Sequence, residues 1–175
     1  MVYIDIVIYS ILVLDSAVVV FIGPYASKMQ ATTLWVGKKI APSGMDADAP
    51  RGFQDAITPK FQDTFNTIIP ISYILILVSG TVKLWYLGVI LFVTVFILKI
   101  VFLKFYPKDV NTYLRTIIGA MMNKMADYKK DGDELRADAA EEMIEKLNDL
   151  YLEIRDQKLL VPSILDTQHM RLGGK

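Results

Sequence analysis

The chain has 175 residues, of which 53% are hydrophobic, and 19 basic residues balance 19 acidic ones, so that the formal net charge is zero. It has no cysteine and a single histidine, His169, which excludes disulfides, thiolate metal sites, cysteine nucleophiles and a haem held by two histidines of this chain. No basic tail or arginine-rich run is present, so nucleic acid is not an expected partner and no cofactor is predicted.

The apolar residues are concentrated in two regions, 2–23 and 65–106, whereas the last third of the chain is charged. Such a split is typical of a membrane part joined to a water-soluble part. The predicted fold class is therefore an all-α membrane protein with three transmembrane helices and a cytoplasmic amphipathic helical hairpin. The predicted divisions of the chain are residues 1–24, 25–64, 65–106, 107–158 and 159–175.

The first apolar run, residues 2–23, is long enough to cross a bilayer, whose hydrocarbon core takes about 20 helical residues. No Lys or Arg precedes this run and Asp5 lies near its start, which favours a transmembrane helix over a secretory signal. Gly23 and Pro24 predict that the helix kinks or ends there, at the membrane interface.

Residues 25–64 are predicted to be a cytoplasmic connection. Its first part, residues 26–40, predicts a helix at the membrane surface, with Trp35 at headgroup depth and a stop at Pro42. Its last part predicts a short helical lead-in, because four apolar residues recur at four-residue steps. These residues are Phe53, Ile57, Phe61 and Phe65.

Residues 65–106 predict a transmembrane hairpin whose two helices are separated by a tight reversal at residues 79–83, around Gly80. The side of the membrane follows from the positive-inside rule, because Lys and Arg are concentrated in the connection and at the start of the tail. These residues are Lys28, Lys38, Lys39, Arg51, Lys60, Lys104, Lys108 and Arg115. The N-terminus is therefore predicted outside and the C-terminus in the cytoplasm.

After Pro107 the pattern becomes that of an amphipathic hairpin. Asp109 is a predicted N-cap, a turn is predicted at residues 129–133 around Gly132, and a second helix at about 134–158. The apolar stripes supply a candidate docking surface, although both stripes have a second interpretation as ordinary core packed on the 25–64 connection. The candidate docking residues are Ile117, Met121, Met125, Leu147, Leu150 and Ile154. Residues 159–175 predict a docking tail.

Two charged residues lie inside predicted spans, where charge is costly. Asp15 has three interpretations: a hydrogen bond that packs helices, an ion pair with Lys99, or part of an ion path. Lys99 has a further interpretation, in which its long stem lets the ammonium reach the interface. Both residues are therefore candidate functional residues of the membrane part.

The predicted function is that of a non-catalytic accessory subunit of a multi-subunit membrane complex, with other membrane-protein subunits and the lipid bilayer as partners. The alternative is an ion-path or energy-coupling component that uses Asp15, because the predicted topology is similar to that of proton-driven stator proteins. Those proteins have spans rich in small residues, whereas the third span here carries only Gly88. An enzyme is not predicted, because no catalytic or phosphate-binding motif occurs.

Overall fold

The computed structural model of this protein describes residues 2–40, 56–83 and 86–162. In chain order, the elements are α1 (Val2–Ala17), a π-helical turn (Val18–Ile22), α2 (Gly23–Ile40), α3 (Lys60–Lys83), α4 (Leu87–Phe102), α5 (Val110–Asp131) and α6 (Glu134–Ile154). The all-α class is confirmed, since no β-strand occurs in these ranges. Two helical stretches, Tyr3–Ile40 and Lys60–Val82, are long and apolar enough to cross a membrane, whereas Leu87–Phe102 is shorter.

The chain divides into two compact units. Unit one combines the chain up to Ser27 with Phe61–Pro107, and unit two combines Lys28–Lys60 with the chain from Lys108 onward. The composition-based divisions, at residues 24, 64 and 106, lie close to these boundaries. Unit one contains the apolar runs and unit two contains most of the charge.

The first helix does not end at Gly23 and Pro24, so that part of the prediction is wrong. The chain passes through the π-helical turn and continues as α2 to Ile40. The turn is closed by a bond from the Gly23 N–H to the Val18 carbonyl, five residues back. A wider turn of this kind accommodates a proline, which has no N–H to donate and would clash within a regular α-helical turn.

The predicted reversal around Gly80 is also wrong, because α3 continues to Lys83. Gly80 is a point of close helix contact, where an added Cβ would lie 2.4 Å from the Cα of Gly88. A Cβ on Gly88 would lie 2.3 Å from the carbonyl oxygen of Leu77. The two glycines therefore allow the backbones of α3 and α4 to approach closely, as small residues do between membrane helices.

The core of unit one is a cluster of buried aliphatic side chains from α1, the π turn, α3 and α4. Its members are Leu12, Val19, Val20, Ile76 and Val95. Four half-buried side chains pack against this cluster: Ile8, Tyr73, Leu91 and Phe102. The three apolar helices therefore share one interior.

In unit two, α5 and α6 form the predicted hairpin. The Asp109 side chain accepts a hydrogen bond from the Asn111 N–H at 3.1 Å, which confirms the N-cap. Gly132 ends α5 with φ of 74°, a left-handed conformation that glycine adopts without strain. At the open end of the hairpin, the Asn111 side-chain amide donates to the Ile154 carbonyl at 3.4 Å. The second helix ends at Ile154, four residues before the predicted position.

The residues predicted as a docking surface lie in the interior of unit two. Five of them are buried, and Met125 is half-buried: the buried ones are Ile117, Met121, Leu147, Leu150 and Ile154. Each stripe therefore packs inside the chain, as the core interpretation has it, because an apolar face in water is stabilised by burial against any available apolar face. In this structure the six side chains are therefore core positions and not an outward-facing docking surface.

The connection contributes to the same unit. Met29 and Val36 of α2 and Ile57 are fully buried, so α2 packs against other parts of the chain. The predicted stop at Pro42 and the first residue of the lead-in, Phe53, lie outside the described residues.

The segment that leads into α3 is tied to α5 by side chains of both. The Lys124 ammonium donates to the carbonyls of Ala56 and Thr58, each at 2.8 Å. Lys60 forms an ion pair with Asp127 at 3.0 Å. Helix α3 begins just after Pro59, where the missing proline N–H costs least. The last part of the predicted lead-in and the predicted second span therefore form one helix.

The first residues of the predicted tail pair with the chain before α5. The Val110 N–H donates to the Leu159 carbonyl at 3.0 Å, and the Val161 N–H donates to the Lys108 carbonyl at 2.8 Å. His169 and the rest of the tail lie outside the described residues.

Candidate functional site

Lys99 lies near the end of α4, inside unit one, and its side chain runs along Gly23. A Cβ added to Gly23 would lie 3.1 Å from Lys99 Cε and 3.6 Å from Nζ, so the glycine provides the space that the lysine stem occupies. The ammonium lies 5.9 Å from the centre of the Tyr73 ring, within the range of a cation–π contact. Residues from α2, α3 and α4 therefore meet at this cation.

The Lys99 ammonium has no anionic partner in the part of the chain that the structure describes. Neither a hydrogen bond nor an ion pair joins it to another described residue. The Tyr73 hydroxyl is buried and likewise has no hydrogen-bond partner among these residues. Two donors therefore lie at the same aromatic ring, and neither has an acceptor.

A second polar contact joins α3 to α2 within unit one. Gln62 is 1% exposed, and its amide nitrogen donates to the Ala26 carbonyl at 3.1 Å and to Asn66 Oδ1 at 3.0 Å. Ala26 lies one helical turn beyond Gly23, and Gln62, Asn66 and Tyr73 recur at four and seven residues on α3. A polar edge of α3 thus lies along the side of unit one that contains Lys99.

Aromatic rings collect at one end of unit one. Successive ring pairs are Phe21–Phe102 at 5.2 Å, Phe102–Phe105 at 5.8 Å, Tyr25–Tyr106 at 6.4 Å, Tyr25–Phe61 at 6.4 Å and Phe61–Phe65 at 5.6 Å. The Tyr106 hydroxyl also donates to the Phe21 carbonyl in the π-helical turn. These residues, the aromatic end, come from the end of the first apolar run, the start of α3 and the end of α4.

Asp15 lies on α1 and is half-buried. No hydrogen bond or ion pair joins its carboxylate to Lys99 or to any other described residue. The structure places the Lys99 stem at Gly23, eight residues further along the helical run, which is about 12 Å at the rise of an α-helix. Asp15 and Lys99, the two predicted site residues of the membrane part, are therefore not brought together.

The sequence pointed to Lys99 but not to its surroundings. In the sequence, Gly23 predicts only a kink or an end of the helix, and nothing marks Tyr73 as a neighbour of Lys99. A glycine near the end of a predicted span is the one signal of a space for a long side chain. Which helix supplies the side chain that occupies this space depends on how the helices pack.

The surface of unit two is charged, but four large apolar side chains are exposed among its described residues: Met122, Leu135, Leu152 and Leu160. All seven acidic residues of α6 are exposed: Glu134, Asp138, Glu141, Glu142, Glu145, Asp149 and Glu153. A hydrogen bond from Lys146, at 2.6 Å, holds the pKa of Glu142 below its ordinary value. Leu135 and Leu152 are also exposed on this helix.

Comparison of this chain with known proteins finds no matching family model, no matching curated protein and no matching solved structure. Its function is therefore inferred from the residues described above.

Proposed function

We propose that this protein is a non-catalytic accessory subunit of a multi-subunit membrane complex. Unit one lies in the bilayer as three spans, and unit two is an aqueous module that docks on partner subunits. The N-terminus is outside and the C-terminus is cytoplasmic, by the distribution of Lys and Arg.

The observation that carries the membrane placement is the outward position of apolar side chains in unit one. In each of the two long apolar helices, only 22% of the most hydrophobic window is buried. Exposed aliphatic residues such as Ile4, Ile74 and Ile97 would each lose about 1.5–3 kcal/mol of burial free energy if water surrounded them. A core helix of a soluble protein would bury these groups, whereas lipid solvates them.

The aromatic end supports a third span. Helix α4 has 16 residues and is about 24 Å long, which is short for a bilayer core of about 30 Å. The chain continues through one further turn, closed by bonds from Lys104 to Val101 and from Phe105 to Phe102, and so reaches the aromatic end. Aromatic rings that gather where apolar helices end are typical of an interfacial aromatic belt.

The docking role rests on the outer face of α6. Leu135 and Leu152 lie exposed at opposite ends of this helix among its acidic residues, so a partner that carries apolar groups flanked by Lys or Arg would match its exposed surface. This surface replaces the buried stripe as the candidate contact.

The experiment is native purification of the full chain from membranes, followed by mass spectrometry of co-purifying proteins. A fixed set of membrane subunits supports the proposal, and a protein that alkaline carbonate extracts from membranes contradicts it. The double variant Leu135→Ser, Leu152→Ser is expected to lose partners. The control is Met122→Ser, which changes an exposed apolar residue on α5 and should keep them.

A second candidate function, an ion path, is favoured by one observation. Asp15 is a carboxylate in an apolar helix without a partner among the described residues. In reconstituted vesicles, Asp15→Asn would abolish ion flux while subunit assembly stays intact. Flux that is equal in the two proteins, or absent from both, contradicts this function.

A further inference from the structure

We infer that Lys99, Tyr73 and Gly23 form a binding site for the phosphate group of an anionic phospholipid at the aromatic end of unit one. The inference rests on the proposed membrane placement and adds a specific ligand to it. The three residues come from α4, α3 and the start of α2. Nothing in the accessory or ion-path functions requires this site.

The first step is charge. A lysine within an apolar helical unit is costly unless an anion compensates it. No carboxylate among the described residues reaches the Lys99 ammonium, and Asp15, which could have done so, lies elsewhere on α1. The compensating anion therefore has to come from outside this part of the chain.

The second step is the chemistry of the donors. The Lys99 ammonium offers three N–H donors, whereas the oxygen of the Tyr73 hydroxyl is closed off from solvent and takes no part in the site. A phosphate group supplies several acceptor oxygens and a negative charge, so one group can satisfy the ammonium.

The third step is shape. The Lys99 stem lies against Gly23, with Cδ at 3.3 Å from the position of an added Cβ, and the ring of Tyr73 lies beside the ammonium. Lys104, five residues later, is exposed and has no such enclosure. Its enclosed side chain therefore distinguishes Lys99, a cation held in one position, from Lys104, a lysine that extends into solvent.

The fourth step is depth, which favours a lipid over a partner's carboxylate. Lys99 precedes Phe102 of the aromatic end by about 4.5 Å along the helix, which is the level where headgroups meet hydrocarbon. Phe96 and Ile100, on either side of Lys99 in sequence, are exposed apolar residues that acyl chains would cover. A lipid therefore satisfies the cation and the neighbouring apolar surface together.

The test is lipid retention by the full chain purified in a mild detergent. Retained phospholipid is counted per protein and by headgroup with native mass spectrometry. Lys99→Met is expected to retain about fivefold less phosphatidylglycerol than the unaltered chain, which is the effect of one lysine near an anionic headgroup. Lys99→Arg should restore retention.

The matched control is Lys104→Met, which removes an exposed lysine at the same end and should leave retention unchanged. Equal losses in Lys99→Met and Lys104→Met would show general attraction to anionic lipid and would overturn the site. Unchanged lipid retention in Lys99→Met would overturn the site as well. So would a Lys99→Met variant that keeps its lipid but loses a co-purifying protein.

A second measurement needs no variant, so a misfolded Lys99→Met does not leave the site undecided. The unaltered chain is melted in nanodiscs of phosphatidylcholine, with or without phosphatidylglycerol, and then in phosphatidylcholine with inorganic phosphate. A higher melting temperature with phosphatidylglycerol alone supports the site. An equal increase with inorganic phosphate identifies a free-anion site and overturns the lipid assignment, and no increase in either case overturns both. Carbonate extraction of each variant tests the membrane placement by itself: a protein that carbonate releases from membranes is not integral, whatever its lipid retention.

Discussion

Unit one and unit two are both built from packed helices, yet the side chains on their outer surfaces differ in polarity. In unit two the apolar stripes of α5 and α6 face each other and the acidic residues of α6 face outward. In unit one the interior is a small aliphatic cluster, and most of the remaining apolar side chains face outward. Water explains the first arrangement, and the second is the one expected if lipid surrounds unit one, as proposed above.

The difference teaches how far hydrophobic periodicity can be used. In unit two the spacing of apolar residues identifies the buried face, because most buried positions are apolar and most exposed positions are polar. In unit one nearly every position is apolar, so spacing says little about which side faces the neighbouring helix. Close approach in unit one is marked by small residues, as at Gly80 and Gly88.

The largest expected effect is a cavity in the interior of unit two. Leu147 is 0% exposed, and Leu147→Ala should lower the free energy of unfolding of this unit by about 2–5 kcal/mol, since it removes buried methyl groups. Hydrogen exchange of α5 and α6 in the full chain measures this. Leu152→Ala, at a position 55% exposed, is the control and should change it by less than about 0.5 kcal/mol.

The next effect sharpens the contrast between the two surfaces. Ile74 of α3 and Leu135 of α6 are 61% and 83% exposed, so a substitution at either position does not change the packing of a core. Ile74→Asp should cost about 2.5–3.5 kcal/mol of membrane insertion, which glycosylation-tag mapping of topology would detect. Leu135→Asp should leave insertion unchanged. Equal insertion of both variants would mean that water surrounds unit one.

A glycine pair tests close helix approach. Gly80→Ala places a Cβ against the backbone of Gly88 and should destabilise the α3–α4 contact by about 1–3 kcal/mol, because neither backbone can give way cheaply. Gly119→Ala on α5 meets nothing within 4 Å and should be neutral or stabilise by up to about 1 kcal/mol. Thermal unfolding of the two purified variants gives the comparison, and identical melting temperatures would refute the close contact.

The N-cap of α5 gives a smaller effect. Asp109→Ala should cost about 1 kcal/mol, because the Asn111 N–H loses its acceptor. Faster hydrogen exchange in the first turn of α5 checks this. Asp109→Asn, which keeps an acceptor oxygen, should behave almost like the unaltered chain.

The smallest effect is electrostatic. Lys146 donates to Glu142 and lowers its pKa, so the stabilisation is present above the ordinary pKa of glutamate and is lost as pH falls through the lowered value. Lys146→Met should raise the pKa of Glu142 toward its ordinary value, which a carboxyl NMR titration would show. Because both side chains are in water, high salt should remove most of the difference.

The sequence was informative where a single residue carries its own physical constraint. Asp109 can accept a hydrogen bond at a helix start and Gly132 can adopt positive φ at a helix end, and both roles were predicted and are observed. The predicted helix end at Gly23 and Pro24 and the predicted reversal at Gly80 are wrong, whereas the alternative of a kink at Gly23 and Pro24 is not tested. A breaker acts only if no neighbouring structure compensates, and here a π-helical turn and close packing do so.

The site shows the same limit. That Lys99 is a cation in an apolar run follows from composition, whereas its place beside Gly23 and Tyr73 depends on three helices that are distant in the sequence. The ion pair between Asp15 and Lys99 is one of three interpretations of Asp15, and it requires the two helices to present these side chains to each other. The sequence does not specify the direction in which each side chain points.

By itself, the sequence determined the helical class, the separation into an apolar and a charged part, and the caps of the α5–α6 hairpin, because these follow from local composition and spacing. Only the tertiary structure decided that the docking stripe is core, that α1 continues into α2, and which residues surround Lys99. Those outcomes depend on which surfaces meet, and long-range packing free energy, which no short stretch of sequence contains, sets that choice.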